Sequence, residues 1–457
     1  MTRPGWLPRD LAPAGPRYQA LLDALERDIR SGDLAEGQRL PPRRDLALQL
    51  GLSVGTVSKA YYEAEQLRLI SAHVGQGTFV RRLRTSTAPK GDSDVINLAL
   101  NVPAMGAEND ILSSVFSDIA RPNDLAPLLL YGPHAGVMQH RAIIADWMSD
   151  GILETDPSRL FICNGAQQAI DIALRLVARQ GDSILVDELT YSGFKAVAAA
   201  NRQSLVPVTM DHEGVVPEAL EAAHRATGAR VLYVMPTLQS PTARTMSVAR
   251  RKAIAALSET LDLWIIEDDV YGFFYEHRPA ALASLVPDRT LYITSYSKCV
   301  APGFRLGTLS VPAKLVDDAN VLLHAAAWFA SSMLSEVLVR LIEDGRLDAL
   351  IAERRRAALE RFQIFKSVFR DAGDVPCPPF FAWLPLPRSW SANDFVAAAQ
   401  TNNILVTPPA SSSVASHDPA GVRICLGSPR DGAELGSALH NLAKILEASR
   451  QTVFSVA

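Results

Sequence analysis

Thr290-Leu291-Tyr292-Ile293-Thr294 runs directly into Ser295-Tyr296-Ser297-Lys298-Cys299-Val300-Ala301-Pro302-Gly303-Phe304-Arg305-Leu306-Gly307. The first five residues are apolar or β-branched, the pattern of a strand buried on both faces. A turn follows that sets a lysine beside serine hydroxyls, with an arginine seven residues on. An amine placed there could form a Schiff base beside an anchored phosphate, a chemistry that needs a free amine and a fixed anion site. A lysine in a turn is more often a solvated surface group, so the other strand ends decide the reading.

Residues 159–163, 183–187, 231–235 and 263–267 are short apolar runs of the same kind, separated by Ala/Leu-rich helical stretches such as 167–179. Buried strands interleaved with helices predict an α/β domain with a mostly parallel sheet. Its ligand crevice lies beyond the strand C-termini. There the chain carries Glu267-Asp268-Asp269-Val270-Tyr271, an acid to pair with a protonated pyridine nitrogen and a tyrosine to bond a phenolic oxygen. Asn164-Gly165-Ala166-Gln167 offers backbone N–H groups and a helix dipole to a phosphate. Asp187-Glu188-Leu189-Thr190-Tyr191 supplies an aromatic able to stack on a ring. Any one of these has a structural alternative. Five in this order point to pyridoxal phosphate.

The set resembles the fold-type I pyridoxal-phosphate enzymes, specifically the class I/II aminotransferases, over roughly residues 95–450. The resemblance implies a smaller α+β C-terminal subdomain at about 341–450. It implies Lys298 as the internal aldimine, Asp268 at the pyridine nitrogen, Tyr271 at the phenolic oxygen and Tyr191 stacked on the ring. Ser295, Arg305 and the Ala166 and Gln167 amides would hold the phosphate. Tyr131, in Tyr131-Gly132-Pro133-His134-Ala135-Gly136, would reach the cofactor of a second subunit, so a homodimer is implied. Arg423 would clamp an α-carboxylate through its planar fork. The chain also departs from the pattern. Ser240 and Ala243 stand where relatives have Asn and Gly, and Asn101 stands where Gly is common, which weakens the case for efficient turnover.

The N-terminal part is built differently. Leu21, Leu22, Leu25 and Ile29 mark an amphipathic helix ended near Gly32, and Pro41-Pro42 precede a short helix broken at Gly51. Ser53 is a good N-cap for a third helix from Val54 to about Gln66, with Val57, Ala60, Tyr61 and Ala64 facing the core. Two short helices joined by a Gly-containing turn form a helix-turn-helix, whose second helix places its first residues at base edges. Those residues are Ser53, Gly55, Thr56, Ser58 and Lys59. Residues 69–72 and 78–80 read as two short strands around a glycine-rich hairpin, the wing. The runs Gly37–Pro42, Arg44–Ala47, Thr56–Tyr61 and Gly75–Val80 resemble the winged-helix domain of the GntR family. The resemblance implies DNA contacts from Arg44, Thr56 and the wing tip Gly75, Gln76 and Gly77, with Ser53, Arg43 and Lys59 beside them.

Charge agrees with that division. Residues 1–84 hold 13 basic and 9 acidic side chains, a surplus of +4, and leave −8 on the remainder. A basic head on an acidic body suits a polyanion at one end, although a solvated surface has the same composition. With 48% hydrophobic and 21% charged residues, the 457-residue chain has core enough for several folding units and is not a disordered protein. The four cysteines are scattered without a C-x-x-C pair, so no metal site or disulfide framework is expected and a reducing cytoplasm fits best. Residues 1–17 lack the apolar run of a signal peptide. The apolar stretch Val321–Val339 is interrupted by His324, serines and Glu336, so a helix in the body or at a subunit contact is expected rather than a membrane span.

The expected organisation is therefore a winged helix-turn-helix at 1–80, a polar linker at 81–94 and an aminotransferase-like effector domain at 95–450. That order is the one found in the MocR-type regulators within the GntR family. It implies a dimeric regulator that binds operator DNA and senses an amino compound, or the cofactor itself, through Lys298. A working aminotransferase with a DNA-binding head is the alternative, and a fold that has lost its cofactor is a third.

Overall fold

The computed structural model describes residues 6–8, 16–31, 33–35, 37–66, 69–73, 77–80, 95–106, 108–149, 153–370, 373, 375, 377–415 and 420–454. The chain divides into two compact units, 1–93 and 94–457.

In the first unit α1 (Arg17–Ser31), α2 (Arg43–Leu50) and α3 (Val54–Gln66) precede an antiparallel pair, β1 (Ile70–His73) and β2 (Gly77–Val80). Pro42 stands before α2, where a missing N–H costs nothing, and Gly51 ends it at φ +63°. The Ser53 hydroxyl then accepts the Thr56 N–H at 3.0 Å and starts α3. Leu21, Leu22 and Leu25 of α1, Leu46 of α2 and Val57, Ala60, Tyr61 and Ala64 of α3 close into one core. Each fully buried leucine or valine there contributes about 1.5–3 kcal/mol. The Tyr61 hydroxyl donates to the Pro41 carbonyl at 3.0 Å, so the core tyrosine leaves no unpaired polar atom. The winged helix-turn-helix expected from sequence is present. Gly75 and Gln76 of the expected wing tip, and the expected linker 81–94, lie outside the described residues.

The second unit opens with β3 (Ile96–Asn97). Its main sheet is built from β4 (Leu160–Cys163), β5 (Ser183–Asp187), β6 (Ser204–Val208), β9 (Val231–Val234), β10 (Trp264–Asp268), β11 (Thr290–Ser295) and β12 (Gly307–Ser310), with a small hairpin of β7 (Met210–Asp211) and β8 (Gly214–Val215) between β6 and β9. The spatial order is β4-β12-β11-β10-β9-β5-β6, parallel except for β12, which runs antiparallel to both its neighbours. Strands β4, β9 and β11 are buried along their whole length, as their unbroken apolar runs require. The sheet is the mostly parallel one that the sequence predicts.

A smaller subdomain pairs β13 (Phe381–Pro385) with β15 (Gly421–Cys425) antiparallel, and β14 (Ile404–Leu405) with β3 parallel. Its core joins Phe362, Phe365, Phe395, Leu435 and Leu439 to Leu98, so the chain just after β3 packs with the smaller subdomain although it is far from it in sequence.

The stretch Val321–Val339 is not one helix. It is split between the helices Val316–Ala327 and Ser332–Glu343, and the two arms meet at 120°. Trp328 takes φ +62°, which ends the first helix, and the Ser331 hydroxyl accepts the Leu334 N–H at 3.4 Å to start the second. Among the described residues no single helix is long and apolar enough to cross a membrane.

Candidate functional site

At the C-terminal ends of β4, β10 and β11 a cavity of about 330 Å³ is lined by Asn101, Ala166, Gln167, Tyr191, Ser240, Asp268, Tyr271, Ser295, Lys298, Arg305 and Arg423, together with Ser192, Met235, Val270, Ser297 and Pro302. That volume is in the range of a small-molecule site. The position is the one an open α/β sheet dictates, because helices following the strands leave the crevice there.

Three consecutive carboxylates, Glu267 and Asp268 at the end of β10 and Asp269 just after it, have different surroundings because successive side chains point to opposite faces. Glu267 accepts the N–H groups of Leu282 at 3.0 Å and Ala283 at 2.8 Å. Asp269 accepts the Tyr292 hydroxyl at 2.7 Å and pairs with Arg278. Asp268 alone of the three lines the cavity. Its Oδ2 accepts the Tyr233 hydroxyl at 2.7 Å, while burial pushes its carboxyl up to about 7. Such an acid shares a proton readily with a ring nitrogen.

Lys298 follows β11 in the turn. Burial lowers its amine to about 8, with Arg423 and Arg305 pushing the same way and Cys425 opposing them. Its Nζ donates to the Asn101 carbonyl at 2.6 Å. Tyr271 is buried, and its hydroxyl accepts the Asn101 side-chain amide at 2.7 Å.

An anion cradle lies beside the amine. The helix Ala166–Val177 begins at Gly165 with no side-chain cap, so its first N–H groups are available. Gly165 takes φ +77°, and a Cβ there would stand 2.7 Å from Arg305 Nη2. Gly307 is equally confined, since its Cβ would lie 2.9 Å from the Ala166 nitrogen. Arg305 itself takes the left-handed φ of +46°, and its Nη1 donates to the Ser297 hydroxyl at 3.5 Å.

Arg423, in β15, is 9% exposed and reaches the cavity from the smaller subdomain. Its Nη1 donates to the Ser240 hydroxyl at 3.4 Å, and its Nη2 to Thr407 Oγ1 at 3.2 Å and the Ala99 carbonyl at 3.3 Å. These weak neutral partners leave a guanidinium to which a carboxylate is a better acceptor. Ala243 keeps φ +58°, the left-handed conformation that suits the glycine of relatives.

The donor set fits pyridoxal phosphate: an amine able to lose its proton, an acid for the ring nitrogen, a hydroxyl for the phenolic oxygen and a cationic cradle at a helix start. All the site residues singled out in the large unit are brought together except Tyr131. That side chain is 85% exposed and stacks on Trp328 at 5.5 Å, outside the cavity of its own chain. Tyr233 escaped the sequence reading, Ser297 entered it only as a neighbour of the lysine, and Asn101 only as a departure. Tyr233 lies opposite Ile266 in the neighbouring strand and so within reach of Asp268, a pairing that the fold supplies.

In the head, Arg43 and Arg44 at the start of α2 and Ser53 at the start of α3 are exposed, as is Lys59 farther along α3. Thr56 is half-buried, with its hydroxyl 2.9 Å from that of Ser53. The Lys59 amine sits 3.8 Å above the Tyr18 ring. Gly77 takes φ +117° against Arg39, an exposed cation that the sequence reading passed over.

Residues 93–441 match the family described as aminotransferase class I and II, and residues 17–80 match bacterial regulatory proteins of the gntR family. The chain is 30% identical over 451 residues to the uncharacterized HTH-type transcriptional regulator YdeF of Bacillus subtilis (strain 168), with 97% of each chain covered. It is 27% identical to the probable rhizopine catabolism regulatory protein MocR of Rhizobium meliloti over 78% of this chain and 77% of that one. Among solved structures, the α-aminoadipate aminotransferase LysN of Thermus thermophilus, complexed with N-(5'-phosphopyridoxyl)-L-leucine, superposes with a TM-score of 0.71 at 21% identity. That match covers 78% of this chain and 93% of LysN, and it speaks for the fold.

Proposed function

The chain belongs to the MocR-type regulators, which join a gntR-family head to an aminotransferase class I and II domain, and from that premise we propose that an amino compound, or pyridoxal phosphate itself, held at Lys298 and Arg423 governs how the head binds DNA. The observation that carries the reading is the meeting of Lys298, Asp268, Arg305 and Arg423 in one cavity, on a chain whose other unit exposes Arg43, Arg44 and Ser53 at helix starts.

Bound pyridoxal phosphate supplies an aldehyde carbon that condenses with amines and a ring that draws electron density from the atom attached there. Lys298 would hold the aldehyde, Asp268 the ring nitrogen, Tyr271 the phenolic oxygen, and Ser295, Arg305 and the Ala166 and Gln167 amides the phosphate. Tyr191 would cover the ring face. Arg423 would fix a carboxylate through two parallel N–H bonds, turning away from Ala99 and Thr407 to do so. Because Arg423 stands on the smaller subdomain and Lys298 on the larger, a ligand gripping both favours whichever arrangement of the two subdomains brings them to its length. Control of DNA binding then requires that the ligand prefer one arrangement over the other. A homodimer is part of this reading: the exposed Leu129, Leu130 and Tyr131 would face the second copy, with Tyr131 turned to its cofactor.

A second reading, a working aminotransferase with a DNA-binding head, is favoured by the buried Arg423, which a cofactor sensor alone does not need. Two assays separate them. The regulator should shift DNA from upstream of its own gene, with Arg44→Ala and Thr56→Ala each weakening binding about 5- to 100-fold. Wild-type binding indifferent to both substitutions rejects a DNA-reading role. Steady keto-acid release over many turnovers, abolished in Lys298→Ala, would instead make it an enzyme.

A further inference from the structure

Asn101 makes two bonds in the cavity that no assigned role requires. Its side-chain amide donates to the Tyr271 hydroxyl at 2.7 Å, and its main-chain carbonyl accepts the Lys298 amine at 2.6 Å. Among the described residues that amide is the one hydrogen-bond partner of the Tyr271 hydroxyl. Ser240 makes no bond to that hydroxyl; its own oxygen accepts from Arg423 at 3.4 Å.

The asparagine is held in place by its own stretch of chain. The Leu98 carbonyl accepts the Cys425 N–H at 2.7 Å. The Asn97 side chain accepts the N–H groups of Ala99 at 3.0 Å and Leu100 at 3.1 Å. Gly427 packs so tightly under Val102 that a Cβ would overlap the Val102 carbonyl. The amide therefore arrives on backbone anchored to β15 rather than on a swinging loop.

The direction of the bond has a chemical consequence. A hydroxyl oxygen that accepts from an amide turns its own proton elsewhere, and beyond Tyr271 lies the cavity. Donation to that oxygen also makes the remaining O–H a stronger donor. The ionisable groups facing Tyr271 are Arg423, Tyr191 and Cys425, and those facing Lys298 are Arg423, Arg305 and Cys425. None of these aims the Tyr271 proton.

We propose that Asn101 is a positioning residue, whose side-chain amide aims the Tyr271 proton at the phenolic oxygen of the cofactor. This rests on the reading that pyridoxal phosphate is bound at Lys298. A well-aimed Tyr271 proton stabilises the phenolate form of the cofactor and so lowers the pH at which the lysine–cofactor linkage loses its proton.

The test is a visible-absorbance pH titration of full-length holoprotein, wild type against Asn101→Ala and Asn101→Asp. The aspartate is nearly isosteric but only accepts, so it draws the Tyr271 proton away from the cofactor and adds negative charge near the nitrogen. Its midpoint should rise by about one pH unit or more, and that of the alanine variant by less. A variant that melts like wild type yet takes up no cofactor also supports the assignment. Midpoints within about 0.2 of wild type in both loaded variants would overturn it, as would loss of folding in both, which makes Asn101 structural. If wild-type protein itself shows no lysine-linked band, the reading of the pocket fails rather than the role of Asn101.

Discussion

The buried amine of Lys298 should capture pyridoxal phosphate with a pH profile unlike that of free lysine. Condensation needs the neutral amine. With the group lowered to about 8 from 10.5, about 9% is neutral at pH 7, some 300-fold more than for a solvated lysine. Between pH 6 and 9 the neutral fraction in the protein climbs from about 1% to about 90% and levels off, whereas that of free lysine keeps rising tenfold per pH unit. The assay is stopped-flow absorbance on cofactor-free protein, with each rate divided by that of Nα-acetyl-lysine amide, which cancels the cofactor's own titration. The ratio should fall about tenfold from pH 6 to 9. Because burial is the larger cause and Arg423 adds to it, Arg423→Gln should move the plateau to higher pH. A ratio constant across the range would refute the argument, since Lys298 would then titrate as an ordinary surface amine.

Two further outcomes follow from the same pocket. Burial holds Asp268 at about 7 against an ordinary 3.8, so the folded, cofactor-free chain binds more protons there than the unfolded chain between about pH 4 and 7, and stability falls as pH rises through that window. Asp268→Asn should therefore raise the thermal midpoint of the cofactor-free protein above pH 7 while weakening cofactor affinity by about 10- to 100-fold, read by melting and by absorbance titration; a lower midpoint with unchanged affinity contradicts the assignment. Gly165→Ala places a Cβ against the Arg305 guanidinium at a φ of +77°, and should cost about tenfold or more in cofactor affinity while leaving secondary structure intact by circular dichroism. Wild-type affinity in that variant would show that the cradle lies elsewhere.

The architecture was legible where local chemistry repeats. The runs ending at Cys163, Asp187 and Thr294 are apolar because both faces of their strands are covered, and the head is marked by proline, glycine and Ser53 at helix ends. What escaped depends on contacts between distant residues. β6 (Ser204–Val208) is an edge strand with a serine and a proline among its five residues, mostly exposed or half-buried, and β12 reads Gly-Thr-Leu-Ser, so neither has the continuous apolar run that marks the central strands. The break at Trp328 has no proline or glycine to announce it. Asn101 meets Tyr271 across 170 residues, and Tyr233 meets Asp268 across 35. Residue type flagged the candidates and the family resemblance singled out Asp268 from three adjacent carboxylates; the folded chain adds that Asp268 alone of the three lines the cavity.

Borohydride reduction of the purified, cofactor-loaded protein, followed by peptide mass mapping, asks the central question directly. The visible band should vanish, and the phosphopyridoxyl mass should appear on the peptide containing Lys298 and be absent in Lys298→Ala. A label on another lysine, or none, would contradict the account.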